Sequence, residues 1–260
     1  MEPAVKTEKV GAVLEIIMNR ADRLNAMNMD LIEGLYQAVE KGFDPEVRAV
    51  LLRGEGRGFC AGGDIREFAK LLGTKQGVPH EMPDRLHQMI ERIRALPKPV
   101  IAVVHGPCAG AGLSLALACD LAIVSEESKF NLAYVGIGLS PDGSSSYFLP
   151  RHVGMKKALE IFLTGKNMTA QEVLELGLVN RVVPAAEVLE QGRQMAQMLA
   201  MGPTASYAKV KQLVNASFGN TLHTQLNLET ELICKSSETE DFRSGITAFL
   251  EKRMPEFQGK

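Results

Sequence analysis

The sequence predicts an α/β fold that gives way to helices toward its C-terminus, and three observations predict it. Short apolar runs with β-branched residues alternate with segments whose apolar residues recur every three or four positions, the mark of strand–helix units. Two glycine-rich stretches each follow a strand-type run and lead into a helix-type run. Beyond residue 143 the helical period dominates.

The strand-type runs are AVLEIIMN (12–19), VRAVLLRG (47–54), PVIAVVHG (99–106) and DLAIVSE (120–126). Between them, MDLIEGLYQAVEKGF (29–43) places Leu31, Leu35, Ala38 and Val39 on one helical face, with Asp30 near its start. PDRLHQMIERIRAL (83–96) repeats the pattern and ends before Pro97-Lys98-Pro99, which cannot continue a helix. GLSLALAC (112–119) is apolar nearly all round and reads as a buried helix. MKKALEIFLTG, TAQEVLELGL and EVLEQGRQMAQMLAMG then read as helices, and NRVVP (180–184) as the last strand. From Pro203 everything reads helical, including the tail ITAFLEKRMPEFQGK. A break at Gly202-Pro203 therefore divides a core of residues 1–200 from a helical region of 201–260.

Composition narrows the function. A chain of 260 residues with 45% hydrophobic and 23% charged content buries a substantial core. The net charge of −2 leaves no basic footprint for nucleic acid, and RHVGMKK (151–157) reads as a solvated helix face. Cys60, Cys108, Cys119 and Cys234 form no CxxC pair and the five histidines no HExxH, so neither a metal site nor a disulfide framework is expected. The N-terminus lacks the apolar segment of a signal peptide, and no run approaches the roughly 20 residues that span a bilayer. A cytoplasmic protein is the expectation.

Three segments carry candidate chemistry. GEGRGFCAGGDIREF (54–68) presents backbone N–H groups near Ala61, Gly62 and Gly63 at a helix start, where an anionic oxygen is favoured. HGPCAGAGLSLALACD (105–120) repeats the arrangement ahead of the buried helix. It is not a dinucleotide fingerprint, because Leu115 replaces the third glycine, and it lacks the GK[ST] of a P-loop. GLSLA (112–116) misses a nucleophile elbow by one position, which leaves open a serine hydrolase built on Ser114, Asp142 and His152 or His223. In GIGLSPDGSSSY (136–147), Pro-Asp-Gly is good turn chemistry, yet it also sets a lone carboxylate, Asp142, on a third loop. Two loops giving one N–H each to a single oxygen suit a thioester carbonyl that becomes an enolate or a tetrahedral oxyanion, with Asp142 as the base.

Taken with NRADRLNAMN (19–28), KPVIAVVHGPCAGAGLSLALACDLAIVSEESKFN (98–131), LTGKNMTAQEVLELGLVNRVV (163–183) and the tail AFLEKRMPEFQGK (248–260), these stretches resemble the crotonase family, the enoyl-CoA hydratase/isomerase group, in order over nearly the whole chain. The resemblance implies a crotonase-like spiral of ββα units with two near-perpendicular sheets. It also implies a helical C-terminal region that mediates trimerisation, as a homotrimer or dimer of trimers. The substrate it implies is an acyl group on coenzyme A, with no separate cofactor and no metal. By the family pattern Gly63 and Ala111 supply the oxyanion amides, and Arg23, Ala26 and the loop Ala61, Gly63, Asp64, Ile65 hold the coenzyme A adenine and phosphates. Asp64 is also expected to cap the helix that begins at Ile65.

The departures from the family decide the expected reaction. The two glutamates of its hydratases are replaced by Ser114 and Tyr134, whose hydroxyls are not carboxylate bases near neutral pH. Asp142 falls where ring epoxyphenylacetyl-CoA and some enoyl-CoA isomerases keep an acid–base aspartate, and where 4-chlorobenzoyl-CoA dehalogenases keep a nucleophile. The dehalogenases' histidine and tryptophan are matched to Glu91 and Tyr134, which argues against dehalogenation. The expected activity is thus an enoyl-CoA isomerase with Asp142 as proton shuttle. Tyr134 is expected to orient its carboxylate, and Phe68, Leu71 and Leu139 to form an apolar acyl pocket that favours the protonated acid. Enoyl-CoA hydration and thioester hydrolysis remain the alternatives.

Overall fold

The computed structural model describes residues 2–260. A six-stranded sheet carries the fold, in the order β1 (Val5–Val10), β2 (Val13–Met18), β3 (Ala49–Gly54), β4 (Val100–Val104), β6 (Leu121–Ser125) and β9 (Arg181–Val183). Only the β1–β2 hairpin is antiparallel; the remaining pairings are parallel, with Leu52 opposite Ala102 and Val103 opposite Ile123. A second sheet of three short strands has the order β5 (Pro107–Ala109), β7 (Lys129–Asn131) and β8 (Met168–Thr169).

The apolar runs are continuous because the inner strands are covered on both faces. One face, with Leu14, Ile16, Val50, Leu52, Ala102 and Val124, packs into the main core with α1 (Met29–Lys41), α3 (Glu81–Ala95) and α4 (Ala111–Ala118). The other face, with Val13, Leu51, Ile101, Val103 and Ile123, is closed by α7 (Val188–Ala200). A fully buried charge on that second face is Glu15, 1% exposed, which accepts hydrogen bonds from Arg193 at 2.6 and 3.0 Å and from Arg53 at 3.4 Å. Burial pushes the Glu15 carboxyl up, but Arg193 and Arg53 together outweigh it and hold the group below its ordinary value.

α2 (Ile65–Ala69) is a single short helix after the first glycine-rich loop. α5 (Ser145–Thr164) begins directly after the Asp142 corner and breaks at Gly154, whose φ of 75° is not helical. α6 (Ala170–Glu175) leads to β9, and residues 201–203 join α7 to α8 (Thr204–Ser217), α9 (Leu222–Ser237) and α10 (Glu240–Leu250).

Two expectations need correction. β1 was not legible, because VKTEKV is a polar, partly exposed edge strand of the kind that charged side chains protect. The tail is not helical to its end: α10 stops at Leu250 and the last residues fold back. There the buried Asp241 carboxylate accepts the N–H groups of Gln258 and Gly259 at 2.6 and 2.8 Å, and Arg48 donates to the Phe257 carbonyl at 3.0 Å. No helix among the described residues is long and apolar enough to cross a membrane.

Candidate active site

The two glycine-rich loops are joined by main-chain hydrogen bonds rather than merely adjacent. Cys60 and Cys108 form a parallel bridge in which the Ala109 N–H donates to the Cys60 carbonyl at 2.9 Å. One step further on, Gly62 (φ 95°) lies so close to the second loop that a β-carbon there would sit 2.9 Å from the Ala109 carbonyl oxygen and 3.5 Å from the Ala111 nitrogen. Gly112 is tighter still, since its β-carbon would fall 2.3 Å from the Cys60 carbonyl oxygen. Glycine and alanine therefore occur here because backbone packs on backbone.

This packing brings Gly63 and Ala111 to one place. Met27 takes the neighbours of Gly63 into hydrogen bonds, its N–H donating to the Gly62 carbonyl at 2.7 Å and its carbonyl accepting from Asp64 at 2.9 Å. The Gly63 amide is left over, and Ala111 opens α4, where first-turn N–H groups have no helical partner. Neither amide donates a hydrogen bond to another of the described residues. Phe68 closes over the Gly63 side, its ring carbon 2.9 Å from where a Gly63 β-carbon would be.

The same zipper draws the expected coenzyme A residues together: the Ala61 N–H donates to the Leu24 carbonyl at 3.0 Å, which sets Arg23 and Ala26 beside Ala61–Ile65. Arg23 pairs only with its exposed neighbour Asp22, at 3.1 Å. Asp64 is committed elsewhere, accepting from the Arg66 N–H at 3.1 Å as the α2 cap and pairing with Arg20 at 2.9 Å. Its carboxylate is structural, and main-chain donors are what this loop offers an anion. The organising residue of the first loop is Asn25, which sequence reading missed. Fully buried with φ at 53°, it accepts from Arg20 N–H and donates to the carbonyls of Glu55 and Gly58. The quoted NRADRLNAMN run held the signal, because asparagine tolerates left-handed backbone and has donors and an acceptor to spend.

Asp142 stands on the other side, against the first turns of α4. Its main-chain carbonyl accepts from Ser114 Oγ at 2.9 Å, Ser145 Oγ at 2.9 Å and Tyr134 Oη at 3.1 Å. Ser114 Oγ and Tyr134 Oη also lie 2.9 Å apart. The expectation that Tyr134 orients the Asp142 carboxylate is thus corrected: Tyr134 holds the main chain of the corner. Burial is the largest influence on its phenol and pushes it above the ordinary tyrosine value, so it stays a neutral donor.

The Asp142 carboxylate meets a residue that sequence reading did not select. His87 Nε2, on α3, lies 2.5 Å from Asp142 Oδ1, with the two side chains 48% and 35% exposed. Glu91, one turn further along α3, is exposed and lines a neighbouring cleft. The residue of this helix that meets Asp142 is therefore a histidine, and Glu91 makes no hydrogen bond to Asp142, so a missing histidine no longer counts against dehalogenation and only Tyr134 does. Helical periodicity gives which face is buried, not which exposed residue meets a distant loop.

The Ser114 triad is not assembled. Ser114 is buried, its neighbours are the Gly110 carbonyl, Tyr134 and Asp142, His223 bonds Asn227, and His152 lines the cleft. That cleft, about 1,030 Å³, runs between the core and α8 past Ile90, Leu117, Ser144, Phe148, Lys211 and Val214. Phe68, Leu71 and Leu139 do not line it; the latter two are half-buried in turns after α2 and after Tyr134. A closed apolar wall around Asp142 is not what surrounds it: the carboxylate is a third exposed and paired. Among the described residues no three His, Cys, Asp or Glu are placed to hold a metal ion.

Free amides at two neighbouring strand–helix junctions are the kind of donors that a carbonyl gaining negative charge requires. The enoyl-CoA hydratase/isomerase family profile matches residues 8–260, and the chain belongs to that enzyme family. It is 35% identical to the 1,2-epoxyphenylacetyl-CoA isomerase of Escherichia coli, covering 95% of each chain. It is also 35% identical to the short-chain-enoyl-CoA hydratase of Clostridium acetobutylicum, covering 95% of this chain and 94% of that one. The crystal structure of an enoyl-CoA hydratase from Polaromonas sp. JS666 superposes with a TM-score of 0.93 at 34% identity, over 98% of this chain and 99% of that one. The crotonase spiral is the fold, in agreement with the resemblance in the sequence.

Proposed function

We propose that this enzyme shifts a double bond in an enoyl-CoA. The Gly63 and Ala111 amides hold the thioester oxygen and stabilise the dienolate, while Asp142 removes a proton from one carbon and delivers a proton to another. The observation that carries this reading is the use of Ser114 and Tyr134. Both hydroxyls are spent on the Asp142 main chain, so neither stands in for a hydratase glutamate, and Asp142 is the carboxylate we assign to the chemistry. One carboxylate suffices for a shuttle, whereas water addition needs a second group to hold and deliver water.

Coenzyme A lies along Arg23, Ala26 and the Ala61–Ile65 main chain, the acyl chain beside Phe68, Leu71 and Leu139. Residues 201–260 carry self-association as a trimer or dimer of trimers. Exposed apolar side chains on α9 and α10, such as Leu222, Ile233, Phe249 and Leu250, support that role. The enzyme acts in the cytoplasm, without a metal.

Hydration is the second reading, favoured by the hydratase names among the relatives. A panel of linear and ring-derived enoyl-CoA esters in heavy water, read by mass spectrometry, separates the two. The expected product is a deuterium-bearing isomer, lost in Asp142→Asn by roughly 10²–10⁴-fold. A 3-hydroxy product formed equally by Asp142→Asn would overturn the proposal.

A further inference from the structure

We infer that His87 is the proton relay between Asp142 and solvent, so that the hydrogen delivered to the isomer is drawn from water rather than kept from the substrate. This rests on the isomerase reading. The geometry gives His87 one ring nitrogen against Asp142 Oδ1 and a side chain half open to water. Its Nδ1 has no hydrogen-bond partner among the described residues. The three hydroxyls on the Asp142 carbonyl hold the corner still, so the Nε2–Oδ1 contact is kept while Oδ2 serves the substrate.

The steps balance. Asp142 removes a proton from carbon, forming the carboxylic acid and the dienolate. The acid O–H breaks as Nε2–H forms, giving the imidazolium, and Nδ1–H then passes its proton to water. In reverse, a solvent proton enters at Nδ1, Nε2–H returns a proton to Asp142, and the acid protonates the far carbon of the dienolate. Imidazole is suited to this because its two nitrogens exchange roles at near-neutral pH. His87 touches Asp142 and not the reacting carbons, so it is a positioning residue.

The test compares wild type with His87→Gln, whose amide still donates to the carboxylate but cannot carry a proton through. Each turns over the same enoyl-CoA in heavy water, with two readouts: isomer formed, and deuterium per isomer. The expected result is deuterium-rich product from wild type and a loss of about tenfold or more in deuterium per isomer from His87→Gln, the scale of one acid–base group. Equal deuterium in the two products overturns the relay. If His87→Gln forms no isomer, added imidazole restoring turnover with deuterium supports the relay, and no restoration overturns it. If wild type itself forms no isomer, the isomerase reading fails and the relay with it, a result distinct from either outcome above. Circular dichroism of the variant, altered at one exposed helix position, checks that the fold is intact.

Discussion

Gly63 and Ala111 sit in backbone zipped strand to strand, with no room for a β-carbon at Gly62 or Gly112, whereas Asp142 hangs from three side-chain hydroxyls and keeps a third of its side chain in water. The difference fits the task proposed for each side. An oxyanion donor contributes most when it needs no reorganisation, so it belongs in packed main chain. A group proposed to accept and deliver protons needs an exchangeable partner, and the half-exposed His87 stands beside Asp142. In the proposed site, rigidity and openness therefore belong to different walls.

Breaking the rigid wall should have the largest effect. Ala111→Pro deletes one amide at the first position of α4, where proline is tolerated. Turnover should fall roughly 10²–10³-fold, with the melting temperature close to wild type, read by steady-state kinetics beside calorimetry. Gly112→Ala attacks the same wall by volume: a methyl 2.3 Å from the Cys60 carbonyl forces the loops apart. Destabilisation of about 1–3 kcal/mol is expected from denaturant titration, together with lost activity. An unaltered midpoint would mean that the close approach is not maintained.

The open wall should respond more gently. Tyr134→Phe removes one of three donors to the Asp142 carbonyl, at about 1 kcal/mol of stability, and turnover should fall less than in Asp142→Asn. Loss as complete as in Asp142→Asn would make Tyr134 a participant in the chemistry. The smallest effect concerns the far face of the sheet. The Glu15 carboxyl is lowered in the fold, against an unfolded value of about 4.3. Its stabilisation is full above that unfolded value and disappears as pH falls through the lowered one. The stability gap between wild type and Glu15→Gln should therefore be constant near neutrality and narrow in acid, as followed by urea midpoints across pH.

Much of the donor wall was legible because its constraints are local. Glycine and alanine after a strand and before an apolar helix, at 54–68 and 105–120, reflect backbone approach, and short segments display it. The open wall was legible only in part. Pro-Asp-Gly flagged Asp142, but that Tyr134 would reach its carbonyl and not its carboxylate depends on where a short 3-10 helix (Ala133–Ile137) turns.

By itself the sequence determined the strand–helix alternation, the two amide-bearing loops and the single carboxylate, because hydrophobic period and glycine placement act over a few residues. Only the tertiary structure decided that His87 partners that carboxylate, 55 positions apart along the chain. It also decided that Asn25 and Asp241 anchor a loop and the tail, and that the chain's end folds back rather than continuing as helix. These are contacts between polar groups on separate elements. Their partners are chosen by the packing of helices and strands, which no window of sequence contains.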